Sequence, residues 1–198
     1  NNNHRVKHKA EGNSRRYTKK DIQSEEVKKD IKKRTNYSIQ SLENLGVSSY
    51  EFYDLPCGRL NRVPLIDINK IIEKEIDDFQ PQSVYTHSNY DLNKDHRIVY
   101  EATAIATRPG SRTFVNDVYL YEVLSSSEWS FSNPFAPNIF VKLSESNIKS
   151  KIESINFYKT ELSAFPYPRS SEGIIILAKY RGMQIGTLYS EAYRSFRG

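Results

Sequence analysis

Residues 83–109 read SVYTHSNYDLNKDHRIVYEATAIATRP. Ser83 to His87 is short and β-leaning, with Val84, Tyr85 and Thr86 in a row. A polar loop follows. From Asp95 or His96 the apolar residues Val99, Ala102, Ile105 and Ala106 fall at helical spacing up to Arg108, and Pro109-Gly110 stops them. A strand that runs through a polar loop straight into a helix is the repeating unit of an α/β domain. In such domains sites form in the loops beyond the carboxyl ends of strands. This loop holds His87 and His96, two of the four histidines in the chain.

The flanking sequence repeats the alternation. Upstream, Ile22, Val27, Ile31, Ile39, Leu42 and Leu45 predict a helix from about Thr18 to Leu45, with Gly46 as its stop. Residues 47–55, VSSYEFYDL, predict a strand closed by Pro56-Cys57-Gly58. Leu65, Ile66, Ile68, Ile71, Ile72 and Ile76 form a wide apolar stripe opposite Asp67, Glu73, Lys74 and Asp77, a helix ended by Pro81. Downstream, residues 117–124 and Ile139 to Leu143 read as strands. Helices are expected at 145–164, at 171–181 and near 188–197. The expected fold is a single α/β domain, Rossmann-like, with a mostly parallel sheet and flanking helices. Residues 1–17 are expected to be an irregular basic segment.

Composition narrows the function classes. Of 198 residues, 37% are hydrophobic and 27% charged, too apolar for a disordered chain. No apolar run approaches the roughly 18 residues that a membrane span needs. Residues 1–20 lack the apolar stretch of a signal peptide, so a cytoplasmic location is expected. The lone cysteine, Cys57, excludes an internal disulfide and a Cys-rich zinc module. Net charge is +5, but residues 1–36 carry +7 and the remainder −2. The run Lys28-Lys29 with Lys32-Lys33-Arg34 is read as the solvated face of a helix rather than as a nucleic-acid contact. Nothing in the sequence specifies an oligomeric state, and a homo-oligomer is compatible with it.

The chemistry converges on the loop after Ser83–His87. On spacing alone, Asp95-His96 reads as a capping aspartate and a surface histidine. A neutral imidazole can also ligate zinc, with a carboxylate nearby to fix its tautomer. The wider context favours the second reading. Residues 85–109 resemble the third motif of the LmbE-like, or PIG-L-type, de-N-acetylases, zinc hydrolases that remove acetyl groups from N-acetylglucosamine-containing substrates. Other segments resemble the family in order: Ala10-Glu11-Gly12 with Arg15 or Arg16, Leu55-Pro56-Cys57-Gly58-Arg59-Leu60, and Glu122 to Trp129. Near the end come Tyr158-Lys159-Thr160-Glu161, Pro168-Arg169-Ser170, Arg181-Gly182 and Glu191-Ala192-Tyr193.

The resemblance implies a zinc site in which His96 is the last ligand, and a metal-bound water that attacks an acetamide carbonyl. Asp95 would orient the proton-transfer apparatus. Asn93 stands where many members carry a histidine that stabilises the oxyanion, and His87 could supply that imidazole instead. Arg15 or Arg16 would bind substrate, and Trp129 would stack on a sugar ring. Each has an ordinary alternative, a solvated arginine or a packed aromatic. Glu191 and Arg169 read as structural ion-pair partners.

The family's early His-Pro-Asp-Asp-Glu motif, which supplies two zinc ligands and the general base, does not occur in this sequence. The implied fold therefore lacks its first β-α unit, whose strand lies centrally in a doubly wound sheet. Three explanations stand open. The sequence is part of a complete zinc deacetylase; or it is a descendant that has lost catalysis and kept a carbohydrate- or partner-binding surface; or His4 and His8 rebuild a metal site with His96. The expected partner in the first two cases is an acetylated amino sugar or its conjugate.

Overall fold

A computed structural model describes residues 5–8 and 25–197. Its contacts cluster into two compact units. The first unit holds the chain up to Arg59 together with Ser144–Ile175. In it β1 (Arg5–His8) pairs in parallel with β2 (Ser49–Phe52), Val6 opposite Tyr50. Residues 5–8 thus form a strand inside the stretch expected to be irregular. Helix α1 (Glu25–Asn44) joins the pair, and its predicted start near Thr18 lies outside the described residues. Gly46 follows at φ 69°, a left-handed value that glycine adopts without strain.

Helix α4 (Glu145–Asn156) packs against α1. It starts with a reciprocal cap between Ser144 and Asn147. Asn44 at the end of α1 donates to Ser154 Oγ (2.7 Å) and to the Ser150 carbonyl (3.1 Å). The helix ends well before the expected 164. Glu161 then accepts an ion pair from Arg169 at 2.8 Å, with Arg34 at 3.6 Å, so Arg169 has the structural role expected for it.

The second unit comprises Leu60–Leu143 and the chain from Ile176. A 3-10 turn (Leu60–Arg62) leads into α2 (Leu65–Phe79), whose Ile68 and Ile76 are buried. Gln80, at φ 51°, closes α2 by donating its N–H to the Ile76 carbonyl, and Pro81 prevents continuation. Then come β3 (Ser83–His87), α3 (Lys94–Ala106), β4 (Asp117–Tyr121), β5 (Ile139–Lys142), α5 (Ser171–Ile185) and β6 (Ser190–Arg197). The first five residues of α5 group with the first unit and the rest with the second.

The sheet runs β3-β4-β6-β5. β3 and β4 are parallel, whereas β6 is antiparallel to both of its neighbours. The expected mostly parallel sheet is therefore mixed. The helix expected near 188–197 is strand β6, inserted between β4 and β5. Gly186 at φ 71° ends α5 and lets the chain turn back. Buried Ser190 and Ala192 alternate with more exposed neighbours, the period of a pleated strand rather than of a helix. Partners on both sides outweigh whatever helical leaning the sequence has. Val118 on β4 shares a core with Ile76, Ala106 and Val115, on which Ile72 and Val84 pack, and Leu120 of the same strand is also buried. That packing fixes the carboxyl ends of β3 and β4, and with them the loop carrying the histidines.

Candidate active site

The second unit gathers the sequence-predicted loop at the ends of β3 and β4. His87 is the last residue of β3, and His96 lies in the first turn of α3. Their rings stack face to face, centroids 3.9 Å apart and planes 6° from parallel. Asn93 sets the start of α3. Its side chain accepts the Asp95 N–H at 3.0 Å, the standard N-cap bond. Asn93, expected at the substrate, thus uses its side-chain oxygen to hold the helix that presents His96.

Beneath the pair sits Asp91, 1% exposed. Its Oδ1 lies 3.1 Å from His96 Nδ1, close enough to pair with an imidazolium though off the line of a straight hydrogen bond. The Asn93 N–H donates to Oδ1 at 2.8 Å, Ser126 Oγ donates to the same oxygen, and Ser127 Oγ reaches Oδ2 at 3.4 Å. Burial pushes the Asp91 carboxyl up. The contacts from His96 and Ser126, the His96 charge and the Asn93 N–H outweigh it, so the group ends below the usual carboxylate range. A buried anion therefore faces His96 and orients its ring. On the other side, the Tyr121 hydroxyl lies 3.3 Å from His87 Nε2. Burial, then the Asp91 charge, raises the Tyr121 phenol well above its ordinary value and keeps it neutral.

Asp95 sits one residue before His96 but turns to the fold: its Oδ1 accepts the Leu60 N–H at 3.1 Å. It ties the 3-10 turn to the start of α3. Trp129 closes a second 3-10 turn (Ser127–Trp129) on the loop after β4 and is part-exposed. That loop is held to the first by Ser130 Oγ, which donates to the Tyr90 carbonyl at 2.6 Å. His87, His96, Asp95, Asn93 and Trp129 all belong to this unit. Arg15 and Arg16, and His4 of the alternative metal site, lie outside the described residues, and only the backbone of His8 is described.

Sequence reasoning missed Asp91, Ser126 and Tyr121 as parts of this cluster. The signal was present: the serine run 125–127 follows a strand parallel to the one that ends in His87. Also unassigned was Arg181 in α5. Its Nε and Nη2 bind both oxygens of Glu122 at 2.8 and 2.6 Å, a buried two-pronged pair just beyond β4. Gly182 beside it is obligatory, since a Cβ there would meet the Thr187 carbonyl oxygen at 2.5 Å.

Among the described residues, no group of three His, Cys, Asp or Glu side chains is arranged to hold a metal ion. Stacked imidazoles do not converge their nitrogens on one point. These residues alone do not fit the zinc centre that the resemblance implies, and no step through a metal is derived from them.

The profile of the PIG-L family, described as GlcNAc-PI de-N-acetylase, matches residues 6–107, just over half of the chain and the whole histidine loop. The chain belongs to the PIG-L family. Comparison with curated protein sequences finds no match. Among solved structures, the conserved protein TT1542 of Thermus thermophilus is similar at a TM-score of 0.68 and 20% identity, over 83% of this chain and 73% of that one. The N,N'-diacetylchitobiose deacetylase of Pyrococcus horikoshii gives 0.66 and 18%, over 84% and 64%. The 4-carboxy-2-hydroxymuconate hydratase of Pseudomonas putida gives 0.64 and 21%, over 97% and 84%. At these identities the likeness shows the PIG-L fold, a mixed sheet flanked by helices, and not the reaction. The hydratase makes the point, because its chemistry is not deacetylation. No helix among the described residues is long and apolar enough to cross a membrane.

Proposed function

We propose that this chain carries the PIG-L role of removing an N-acetyl group from an amino sugar or its conjugate, at the His87–His96 loop. The observation that carries the reading is the family match across residues 6–107, a stretch that contains His96. The placing of His96 supports it: in the first turn of a helix, beside a buried ionised Asp91, at the carboxyl end of a strand. Asp91 orients His96, the neutral Tyr121 hydroxyl holds His87, and Trp129 offers a face to a sugar ring. Asp95 acts on His96 through the position of the helix.

The family zinc is part of the reading, with His96 as the ligand this chain contributes. The fold would then be a Rossmann-like sheet completed by a further β-α unit bearing the remaining ligands, in a cytoplasmic protein. Accordingly the 198 residues alone are expected to hold far less than one zinc per chain and to release no acetate from N-acetylglucosamine conjugates. Elemental analysis after removal of loosely bound metal, with an acetate-release assay, checks both. One zinc per chain that His96→Ala abolishes would overturn the expectation of an incomplete site. Activity that survives His96→Ala would overturn the family role itself.

A second reading, a non-catalytic carbohydrate-binding descendant, is favoured by the misfit of the histidine pair to a metal. It expects saturable sugar binding that a chelator leaves unchanged.

A further inference from the structure

One residue of the serine run after β4 has an unusual backbone. Among the described residues, only Gln80 and Ser125 have a positive φ without being glycine. Gln80 closes α2, an ordinary place for a left-handed residue. Ser125, at φ 69°, is buried and ends no helix. The Val123 carbonyl accepts the Ser126 N–H at 3.1 Å, three residues on, so Leu124 and Ser125 are the middle of a β-turn. A positive φ at its third residue alone makes the turn type II, and glycine or asparagine usually fills that position. Residues held in such sparsely populated backbone cluster at functional sites.

What leaves the turn meets the floor of the candidate site. Ser126 Oγ donates to Asp91 Oδ1, and Ser127 Oγ lies 3.4 Å from Oδ2. The exit is fixed at several points. The Val123 carbonyl also accepts the Ser127 N–H at 2.9 Å, and the Val123 N–H donates to Ser127 Oγ at 2.7 Å. The Ser126 N–H also reaches Glu128 Oε2 at 3.0 Å. Rotation about the Ser125 N–Cα bond carries everything after it, and first of all these two hydroxyls. We propose that Ser125 is a positioning residue: its left-handed backbone, not its hydroxyl, aims Ser126 and Ser127 at Asp91 and through Asp91 sets the ring of His96. This deepens the proposed function and rests on it for the role of His96. The orientation itself requires neither metal nor substrate.

Two substitutions separate the backbone from the side chain. Ser125→Gly removes the hydroxyl and keeps the left-handed conformation at no steric cost. Ser125→Thr keeps the hydroxyl, but its branched Cβ resists a positive φ. The full chain, labelled with nitrogen-15, is compared at one pH by ring-nitrogen correlation spectra of its four histidines and by amide hydrogen exchange. Single His→Gln replacements assign the ring signals. Ser125→Gly is expected to leave the His96 signals in place, with unchanged exchange of the Asn93 N–H that donates to Asp91 Oδ1. Ser125→Thr is expected to shift the His96 signals and to speed Asn93 exchange about tenfold, while the amides of β4 stay protected. Ser126→Ala, which leaves residue 125 alone, is expected to shift His96 in the same way.

Displaced His96 signals in Ser125→Gly would overturn the proposal, since the hydroxyl would then be the working part. Undisturbed signals in a folded Ser125→Thr would overturn it too, because the turn would then aim nothing. Undisturbed signals in Ser126→Ala would break the route through Asp91. Should Ser125→Thr fail to fold, the other two variants decide. None of these outcomes is read through zinc or acetate release, so they stand apart from the His96→Ala assay that tests the family role.

Discussion

Asp91 decides the character of the site. A carboxylate this buried is stable only because several donors meet it, and each donor is also a structural tie. Asp91→Asn removes the charge and leaves Ser126, Ser127 and the Asn93 N–H in mismatched partnerships. The expected loss at neutral pH is about 1–3 kcal/mol of unfolding free energy. The pH dependence has a definite sign. The folded Asp91 carboxyl lies below its unfolded value, so its contribution is present above about pH 4 and fades as pH falls through the lower folded value. Denaturant unfolding of both proteins between pH 7 and pH 2.5 should show the gap closing on the acid side. A gap constant with pH would mean that Asp91 is not held as an anion. The sequence displayed Asp91 two residues before Asn93. Nothing in the sequence marked it above Asp95, because burial and the reach of Ser126 are properties of the folded loop pair. The Asp95-His96 pairing was legible as a motif, but the direction of the Asp95 carboxylate, toward Leu60, was not.

The elements divide by how local their signals are. The helix after Pro64 and the one opened by Asn93 were readable because the apolar positions and the stop signal lie within or beside the segment. Strand β3 was readable for the same reason. β6 was not, because its strand character comes from β4 and β5 on either side, more than 45 residues away in sequence. The same separation hid the Arg181–Glu122 pair, 59 residues apart. Both side chains are nearly out of water. Arg181→Met strands the Glu122 carboxylate and is expected to cost about 3–5 kcal/mol. The double replacement Arg181→Met with Glu122→Leu should recover most of that, since two buried apolar groups need no partner. Thermal and denaturant melts of the three variants make the comparison. A double variant as unstable as the single one would mean that the pair organises α5 by direction as well as by charge.

At the scale of the molecule, the chain stores phenol protons. Burial, then the Asp91 charge, raises Tyr121, and burial, then the Glu191 charge, raises Tyr193; the Tyr193 hydroxyl also donates to Glu191 at 2.7 Å. Unfolded tyrosines ionise near pH 10. The folded chain binds these protons more tightly, so stability is intact below about pH 10 and falls as pH rises above it. Absorbance at 295 nm should show some of the 14 tyrosines silent until the chain unfolds. Normal titration of every tyrosine in a chain still folded at pH 11 would contradict the burial of Tyr121. The outer strand β5 has a different consequence. Among the described residues it bonds to β6 on one side only, and Ile139 and Val141 stand exposed on it, with Lys142 its single charge. Such a rim is a template on which the backbone of another molecule can crystallise, one strand after the next. Concentrated stocks are therefore expected to cloud from this side first. A gatekeeping Val141→Lys, facing Glu191 across the ladder, should raise the concentration at which light scattering begins.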